Sequence, residues 1–322
     1  MVLLIVTLTM NAALDRILTV PNFQRGHPHR ASEKMTLAGG KGIAVARALK
    51  RLGVPVVATG LAGGRNGRRI LEELQSEGIL NDFVRIEDES RTSTAVVDPT
   101  SLTFTEINEW GPWVGDTELE LLLEKIDYLS RGTGMAVLAC SLPRGVDEDF
   151  YAKIIRELSR RNVLTVLDSE GEPLRLGIEA EPYLISPNQQ EAEALVGQEF
   201  SEDGDFLLAV DHLAELGARN VLITHESGCF ARLRGERGRP QYFRALAPHL
   251  EPVSAIGSGT VLLAGFLAAQ LEDASPDDAL RKAVAAGAAS TLEVGAGRFA
   301  PEEMGRLLPE VSIEQLEPAA SL

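Results

Sequence analysis

Cysteine is scarce in this sequence. Its 322 residues include two, Cys140 and Cys229, which are too few for the disulfide framework of a small secreted domain. Their strand-like surroundings predict reduced side chains in a core or pocket. The chain also has no apolar run near the ~20 residues of a membrane span, and Met1 leads into a strand-like segment without a basic region or cleavage site. We therefore expect a soluble, cytoplasmic protein that does not enter a membrane.

Basic residues are outnumbered. The chain has 31 Lys and Arg against 47 Asp and Glu, a formal net charge of −16. This balance argues against nucleic acid or an anionic membrane as a partner, although a local basic cluster could hold a phosphorylated small molecule. At 44% hydrophobic residues, the length suffices for one large α/β domain with an appendage, or for two domains.

Short buried-type strands alternate with amphipathic helices along most of the chain. This rhythm predicts a mostly parallel, doubly wound sheet with helices on both faces. The predicted strands are residues 2–8, 54–61, 135–140, 163–168, 183–186 and 221–224. The predicted helices are residues 43–52, 66–77, 116–129, 148–160, 189–196, 206–216, 259–271 and 277–292, with a short helix near Pro173. The tail after Pro309 is weakly patterned.

The alternation breaks between residues 82 and 107. Three strand-like pieces, 82–86, 93–97 and 103–107, are joined by polar turns, and together with residues 14–23 they predict a small separate sheet. We expect this sheet to be a lid, formed by about 14–37 and 82–112 and inserted in a single domain spanning 1–322. Residues 229–233 and 241–244 predict a hairpin around the charged loop 234–238, which is most simply a solvated turn.

A glycine turn leads into an apolar helix at residues 253–266. Gly257 and Gly259 leave backbone N–H groups unobstructed, and a helix that starts near Thr260 adds free donors and the positive end of its dipole. A phosphate would fit there. A tight turn packed against a neighbouring strand explains the same residues, and both interpretations stay open. A dinucleotide fingerprint fits poorly, because the third glycine falls at Gly265.

Several polar residues fall at one edge of the predicted sheet. Ligands of open α/β sheets lie beyond the carboxyl ends of the strands. That edge collects Asp15, residues 39–42, Asp168, Asn188 and the turn at Gly257.

Seven short motifs occur in a recognisable order. They are residues 7–15 (TLTMNAALD), 38–42 (AGGKG), 105–108 (TEIN), 141–143 (SLP), 187–191 (PNQQE), 256–259 (IGSG) and 264–266 (AGF). In this order the chain resembles the ribokinase-like phosphofructokinase B (PfkB) family of carbohydrate kinases, most closely its 1-phosphofructokinase and tagatose-6-phosphate kinase branch. The resemblance runs from residue 7 to about residue 297. It implies a three-layer α/β/α sandwich with a β-sheet lid, ATP-dependent phosphorylation of a sugar phosphate with Mg²⁺, and a homodimer formed through the lid.

The resemblance also implies roles for individual residues. Asp15 would hold sugar hydroxyls, and Lys41 and Arg91 would neutralise the phosphate already on the substrate. Other implied substrate-binding residues are Gly39, Gly40 and Asn108. The residues implied on the nucleotide side are Asn188, Thr224, Gly228, Gly257 and Gly259. Glu191 would organise Mg²⁺. The turn formed by Gly257, Ser258 and Gly259 would lie at the transferred phosphate. From the residues alone, Asn188 is a helix N-cap with Glu191 in the first turn, and Lys41 is a solvated charge.

The most consequential departure from the family is Thr260. It stands where the family has the aspartate that takes the proton from the attacking hydroxyl, and a threonine hydroxyl is no base near neutral pH. Asp168 is a better-placed carboxylate by analogy of fold. His225 is interpreted as a strand-end histidine without catalytic duty, because the sequence places no carboxylate beside it.

Other departures flank both parts of the implied site. Ala44 replaces a sugar-holding asparagine, Ala139 and Cys140 replace a Ser-Gly pair, and Ser186 stands where close relatives often carry lysine. Glu226 would bring negative charge near a triphosphate.

Two functions remain open. The first is a divergent sugar-phosphate kinase with weakened chemistry, favoured by the retained Asp15, Lys41, Asn188 and Glu191. The second is a catalytically inactive kinase-like protein that binds a sugar phosphate or nucleotide in a regulatory role, favoured by the lost side chains. A dehydrogenase is disfavoured, because the sequence lacks an N-terminal dinucleotide fingerprint.

Overall fold

The computed structural model describes residues 4–101, 103–235 and 238–318. Within these ranges, ten strands form a large sheet and four form a separate small sheet. The strands of the large sheet are β1 Leu4–Thr9, β4 Val56–Gly63, β5 Leu80–Ile86, β8 Thr133–Ala139, β9 Leu164–Asp168, β10 Leu184–Ile185, β11 Val221–His225, β12 Gly228–Arg234, β13 Pro240–Leu246 and β14 Ser312–Leu316. The strands of the small sheet are β2 Ala13–Thr19, β3 Glu33–Gly39, β6 Arg91–Asp98 and β7 Thr103–Asn108.

The large sheet is mostly parallel, as the alternation of elements predicts. Its order is β14-β13-β12-β11-β10-β9-β8-β1-β4-β5. Neighbours from β11 to β5 run parallel, and β12, β13 and β14 continue the sheet in antiparallel fashion. Strand β1 lies inside the sheet, between β8 and β4. Its run of residues is apolar because both of its faces are covered.

Helices cover both faces of this sheet. They are α1 Lys41–Arg51, α2 Gly64–Ser76, α3 Asp116–Ser130, α4 Phe150–Arg160, α5 Gly171–Ile178, α6 Gln189–Val196, α7 Asp203–Glu215, α8 Ser258–Leu271, α9 Pro276–Ser290 and α10 Pro301–Leu307, followed by a 3-10 turn at Leu308–Glu310. One hydrophobic core joins the sheet to α1, α2, α8, α9 and α10, and a second joins it to α3 through α7. The chain is therefore the expected three-layer α/β/α sandwich.

Helix α8 is apolar around its whole circumference because it lies inside the protein. Every residue from 260 to 269 is buried. Its tightest neighbour is α9: a Cβ added at Gly265 would lie 2.9 Å from the carbonyl oxygen of Lys282. This close packing fixes the N-terminus of α8 at the carboxyl edge of the sheet.

The small sheet has the order β3-β2-β6-β7 and lies over that same edge. Its apolar face carries Ile17, Leu37, Ala95 and Val97, and partly buried Ile256 packs against it. Because Ile256 precedes the glycine turn, the lid contacts the segment that leads into α8.

The assignment of residues 82–86 to the lid is wrong. Strand β5 pairs in parallel with β4 at the edge of the large sheet, where Phe83, Val84 and Ile86 are buried. Residues 82–86 are a short strand-like run bounded by polar turns, which suits an edge strand of the large sheet as well as a lid strand. The lid instead contains β3, which the sequence analysis did not identify as a strand.

The tail after Pro309 holds more structure than its weak pattern predicts, because β14 forms there, and α10, just before it, was not predicted either. Residues 2 and 3 of the first predicted strand and residues 236 and 237 of the predicted loop lie outside the described residues. Across the described part of the chain, none of the helices is long and apolar enough to cross a membrane.

Candidate active site

A cleft of about 1300 Å³ lies between the lid and the carboxyl edge of the large sheet. This exceeds the 300–1,000 Å³ typical of a site for one small ligand, so two ligands fit side by side. Of the residues singled out from the sequence, those lining it are Asp15, Gly40, Lys41, Ala44, Arg91, Asn108, Cys140, Asp168, Ser186, Asn188, Glu191, Thr224, His225, Glu226, Gly228, Gly257, Ser258, Gly259 and Thr260. We call the part near Asp15, Arg91 and Asn108 the lid end, and the part near residues 224–228 the hairpin end.

The glycine turn presents free donors to the cleft. Gly257 is the N-cap of α8 with a left-handed φ of 77°. The N–H of Ser258 donates to the carbonyl of Ala255 at 3.2 Å, whereas in the described part of the chain the N–H groups of Gly259 and Thr260 have no backbone acceptor. These orphan donors and the helix dipole make an anion site.

The same glycines also allow close packing. A Cβ at Gly257 would lie 2.9 Å from the Cβ of Ala296, and one at Gly259 would lie 3.0 Å from Thr224 Oγ1. The tight-turn interpretation and the anion interpretation therefore both describe this segment, and they are compatible.

Asp15 lies at the lid end against Gly39. A Cβ at Gly39 would lie 2.1 Å from the Asp15 carboxylate, so glycine is required there for the carboxylate to keep its place. Burial raises the pKa of Asp15 to about 7 against the opposing charge of Arg91. Within the described ranges the carboxylate has no hydrogen-bond donor in the protein, which leaves it available to ligand hydroxyls.

Arg91 and Asn108 meet on neighbouring lid strands. Arg91 Nη1 donates to Asn108 Oδ1 at 3.3 Å, and Arg91 Nε donates to the carbonyl of Asn11 at 3.3 Å. Ser93 Oγ also donates to Asn108 Oδ1, at 2.6 Å. The structure thus brings together two residues that are 17 positions apart in the sequence.

Lys41 is not the free solvated charge that its turn position suggests. Its Nζ donates to Asp168 Oδ1 at 2.8 Å and to Glu191 Oε1 at 2.9 Å, and its side chain is 33% exposed. Burial opposes the ammonium charge, but the two carboxylates outweigh it and hold the pKa of Lys41 above its usual value. Lys41 therefore stays cationic and joins the N-terminus of α1 to β9 and α6.

Asn188 and Glu191 form the N-cap expected from the residues alone. Asn188 Oδ1 accepts the N–H of Glu191, and Glu191 Oε2 accepts the N–H of Asn188, both at 2.9 Å. Burial raises the pKa of Glu191 against the attraction of Lys41. Both carboxylate oxygens of Glu191 are thus engaged by protein donors.

A divalent cation would need ligands from outside the protein. No cluster of three or more His, Cys, Asp or Glu side chains that could hold a metal occurs among the described residues. One or two carboxylates with phosphate oxygens and water suit Mg²⁺, and Glu191 and Asp168 fit that limited contribution.

The hairpin end is shaped by a tight turn between β11 and β12. A Cβ at Gly228, where φ is +148°, would lie 2.1 Å from the carbonyl oxygen of Ala245, so the hairpin itself requires this glycine. The His225 ring packs against Phe206 and Phe230, and burial lowers the pKa of His225. The ring is therefore neutral and packed against two phenylalanines, and the interpretation of His225 as a histidine without catalytic duty stays a prediction.

Cys140 is the residue whose position the sequence analysis did not anticipate. It follows β8, has a left-handed φ of 85°, and is 3% exposed at the wall of the cleft. Its Sγ accepts the N–H of Lys41 at 3.0 Å. The signal for this position was the replacement of the family's Ser-Gly pair, because only glycine adopts such a φ without strain.

Comparison with known proteins identifies the family. Residues 4–303 match the pfkB family carbohydrate kinase model. A 1-phosphofructokinase of Borreliella burgdorferi is 32% identical over 313 residues, covering 97% of this chain and 99% of that protein. A tagatose-6-phosphate kinase of Staphylococcus epidermidis is 28% identical over 314 residues, covering 96% and 99%. The chain belongs to the pfkB family of carbohydrate kinases.

Solved structures of this family share the fold. Phosphofructokinase-2 from Escherichia coli, in complex with substrates and products, has a TM-score of 0.86 at 25% identity, covering 95% of this chain and 98% of that one. Ribokinase from Arabidopsis thaliana, complexed with ribose and ATP, has a TM-score of 0.71 at 22% identity, covering 96% and 99%. The ribokinase-like architecture expected from the motifs is confirmed.

Within the pfkB fold, Thr260 lies in the first turn of α8 and is 9% exposed at the cleft. Its hydroxyl can accept or donate a hydrogen bond, but it does not take a proton near neutral pH. Ala44 is buried against Gly297. A Cβ added at Gly297 would lie 3.0 Å from the Cα of Ala44. The wall near Ala44 therefore offers a ligand no polar side chain from that position.

Proposed function

We propose that this pfkB protein is an ATP-dependent kinase that phosphorylates a sugar phosphate of the fructose 1-phosphate or tagatose 6-phosphate type. We propose further that its chemistry is slow, because Thr260 supplies no general base. The orphan N–H groups of Gly259 and Thr260, lying between the lid end and the hairpin end of one cleft, carry this proposal. The names of the relatives support the substrate class.

The lid end suits the sugar phosphate. The Arg91 guanidinium and the third donor of Lys41 Nζ would neutralise the substrate's phosphate, since two donors of Lys41 are engaged by carboxylates. The Asp15 carboxylate accepts hydrogen bonds from ligand hydroxyls. The acceptor hydroxyl then faces the N-terminus of α8.

MgATP, when bound, supplies the γ-phosphoryl group and neutralises charge on the phosphates. A bond forms from the sugar hydroxyl oxygen to the γ-phosphorus, the bond to the bridging oxygen of ADP breaks, and the hydroxyl proton passes to water. The N–H groups of Gly259 and Thr260 stabilise the negative charge that develops on the transferred group. Asn188 and Glu191 would order the water around Mg²⁺, and Thr224 and Gly228 would border the nucleotide.

A second function is favoured by a specific observation. Thr260 and Ala44 both lack the polar group that the family uses at their positions, while the backbone donors of the turn are intact. A catalytically inactive protein that binds a sugar phosphate or nucleotide and regulates another process would have this combination.

Calorimetry and a coupled assay separate the two functions. Fructose 1-phosphate, fructose 6-phosphate and tagatose 6-phosphate are titrated into the protein with and without a nonhydrolysable ATP analogue, and release of ADP is then followed with MgATP. Binding together with ADP release supports the kinase. Binding of either ligand without any release supports the regulatory protein, and absence of binding refutes both.

We also propose that the protein forms a homodimer through its lid. All residues of β7 are exposed, and the large apolar side chains Phe104, Ile107, Trp110 and Trp113 are 47%, 62%, 87% and 62% exposed. An exposed edge strand with large apolar side chains on it and just beyond it is typical of a protein interface. We place the reaction in the cytoplasm, where the free cysteines Cys140 and Cys229 would stay reduced.

A further inference from the structure

Cys140 holds an unusual position for a cysteine. Three hydrogen bonds hold its backbone in the left-handed region. Its N–H donates to the carbonyl of Asp168 at 3.1 Å, and its carbonyl accepts the hydroxyls of Tyr151 and Ser169, both at 2.9 Å. Ser141 follows it and receives a hydrogen bond from Asn11 Nδ2 at 3.3 Å. The surrounding structure therefore determines where the thiol points.

The thiol points at the N-terminus of α1. The N-cap residue of this helix, Gly40, has no side chain with which to cap it. Cys140 Sγ instead accepts the N–H of Lys41 and interacts with that of Gly42. The sulfur thereby satisfies donors that a helix N-terminus otherwise offers to an anion or a ligand oxygen.

The neighbouring groups on this wall also lack donors. Asn11 is 4% exposed and lines the cleft, and its Oδ1 has no hydrogen-bond partner in the described part of the protein. A buried unpaired acceptor at a cleft wall indicates a ligand donor or water that completes it. The Asp15 carboxylate, near the same wall, likewise lacks a protein donor within the described ranges. The wall thus presents oxygen acceptors, while the N–H of Lys41, the first donor of α1, is already taken by the sulfur.

We propose that Cys140 determines the polarity of the sugar subsite: its sulfur closes the N-terminus of α1, so that this wall accepts hydrogen bonds from sugar hydroxyls and leaves the substrate phosphate to Arg91 and Lys41 Nζ. This inference rests on the proposed sugar-phosphate kinase function. Glycine at position 140 would open the N-terminus of α1 and turn one part of the wall into a donor site. Cys140 is in this sense a specificity-determining residue.

The test compares the native protein with Cys140→Gly and a matched control, Cys140→Ser. Serine keeps a capping acceptor at the same place, whereas glycine removes it and also suits the left-handed φ. Each protein is titrated by calorimetry with inorganic phosphate and with the hexose phosphates named above, after thermal unfolding has shown a cooperative fold. Cys140→Ala serves as a second variant without the sulfur, should the glycine chain fail to fold.

We expect Cys140→Gly to bind inorganic phosphate and the sugar phosphate about two- to tenfold more tightly, because one or two N–H groups become free. Cys140→Ser should stay within about twofold of the native protein. Equal affinities in the glycine and serine chains for every ligand would overturn the inference. If neither the native protein nor any variant binds a sugar phosphate but Cys140→Gly binds inorganic phosphate more tightly, the proposed substrate class is refuted. That result would still support the inference that Cys140 caps the N-terminus of α1.

Discussion

Asp15→Asn tests whether the lid end maintains a charge at the expense of stability. The carboxylate is partly buried, has no protein donor in the described ranges, and has a pKa raised by burial to about 7. Asparagine has nearly the same shape but no charge to desolvate. The variant should therefore be more stable than the native protein at neutral pH, although it removes a proposed ligand-binding group.

The magnitude follows from the shift in pKa. A rise from 3.8 to about 7 is a difference of about 3 units, and each unit corresponds to about 1.4 kcal/mol. The folded protein holds the proton more tightly than the unfolded chain, so the burial cost is absent below pH 3.8. The cost grows as the pH rises and is complete above about 7. Allowing for the carboxylate's remaining solvent contact, we expect Asp15→Asn to gain about 2 to 4 kcal/mol at pH 8 and less at pH 5.

Urea unfolding followed by circular dichroism at pH 5, 6.5 and 8 measures this gain. The same variant should bind the sugar phosphate about five- to tenfold more weakly at pH 8, because a charged acceptor becomes neutral. A gain that is equal at pH 5 and pH 8, or a loss of stability at pH 8, would refute the reasoning.

Asp98, another buried lid aspartate, provides a matched control. Burial opposes its charge, but hydrogen bonds outweigh burial and lower the pKa of Asp98 to about 2. The donors, at 2.9–3.0 Å, are the N–H groups of Thr100, Asn22 and Phe23 and the hydroxyl of Ser101. Asp98→Asn should therefore destabilise the protein at pH 8, the opposite sign from Asp15→Asn, and this loss should shrink as the pH falls toward 2.

Three further predictions concern other parts of the molecule. Thr260→Asp should raise turnover of the best sugar phosphate by about 10²- to 10⁴-fold in the coupled assay, with little change in affinity. Thr260→Asn should not raise it. Equal rates in the native protein and Thr260→Asp would show that another group serves as base. Lys41→Met should lower the free energy of unfolding by about 2 to 4 kcal/mol, because the Asp168 and Glu191 carboxylates lose their shared cation. Lys41→Arg should lower it less. A Lys41→Met variant as stable as the native protein would contradict a structural role for these two ion pairs. Ile107→Glu on β7 should shift the mass measured by light scattering from that of a dimer to that of a monomer. The control Leu80→Glu, at a side chain 69% exposed on β5, should leave the mass unchanged. A native protein that is monomeric, or two variants that both stay dimeric, would argue against a lid interface.

The large sheet was predictable because its strands and helices differ sharply in period. The helix at Gln189–Val196 has the bounds that the sequence predicts. Gly53, with a left-handed φ of 75°, stops α1 close to the predicted end at residue 52. β5 was assigned to the wrong sheet because a short run of strand-forming residues between polar turns suits an edge strand of either sheet. The tertiary pairing with β4, which local sequence does not encode, decides between them.

The candidate site was predictable as a set of residues but not as a set of contacts. The resemblance implied that Asp15, Arg91 and Asn108 share one site, and all three line the cleft, while their roles stay predictions. The sequence could not show that Lys41 lies between Asp168 and Glu191, because 127 and 150 positions separate these partners along the chain. It also could not show that Cys140 caps α1, since that contact depends on a backbone conformation that cysteine rarely adopts.

The features that define this cleft are costly for folding. Asp15 carries a charge that burial disfavours, Cys140 has a strained φ, and the orphan N–H groups at the start of α8 and the unpaired oxygen of Asn11 lack partners in the described structure. A cleft without a ligand would gain stability from asparagine at position 15 and from glycine at position 140. A protein that only needed this fold would therefore be better served by other residues at these positions. Since each cost falls on a residue that lines the cleft, the energetics favour ligand binding there under both proposed functions. Turnover by the native protein and by Thr260→Asp separates the two, because position 260 affects proton transfer but not the backbone donors.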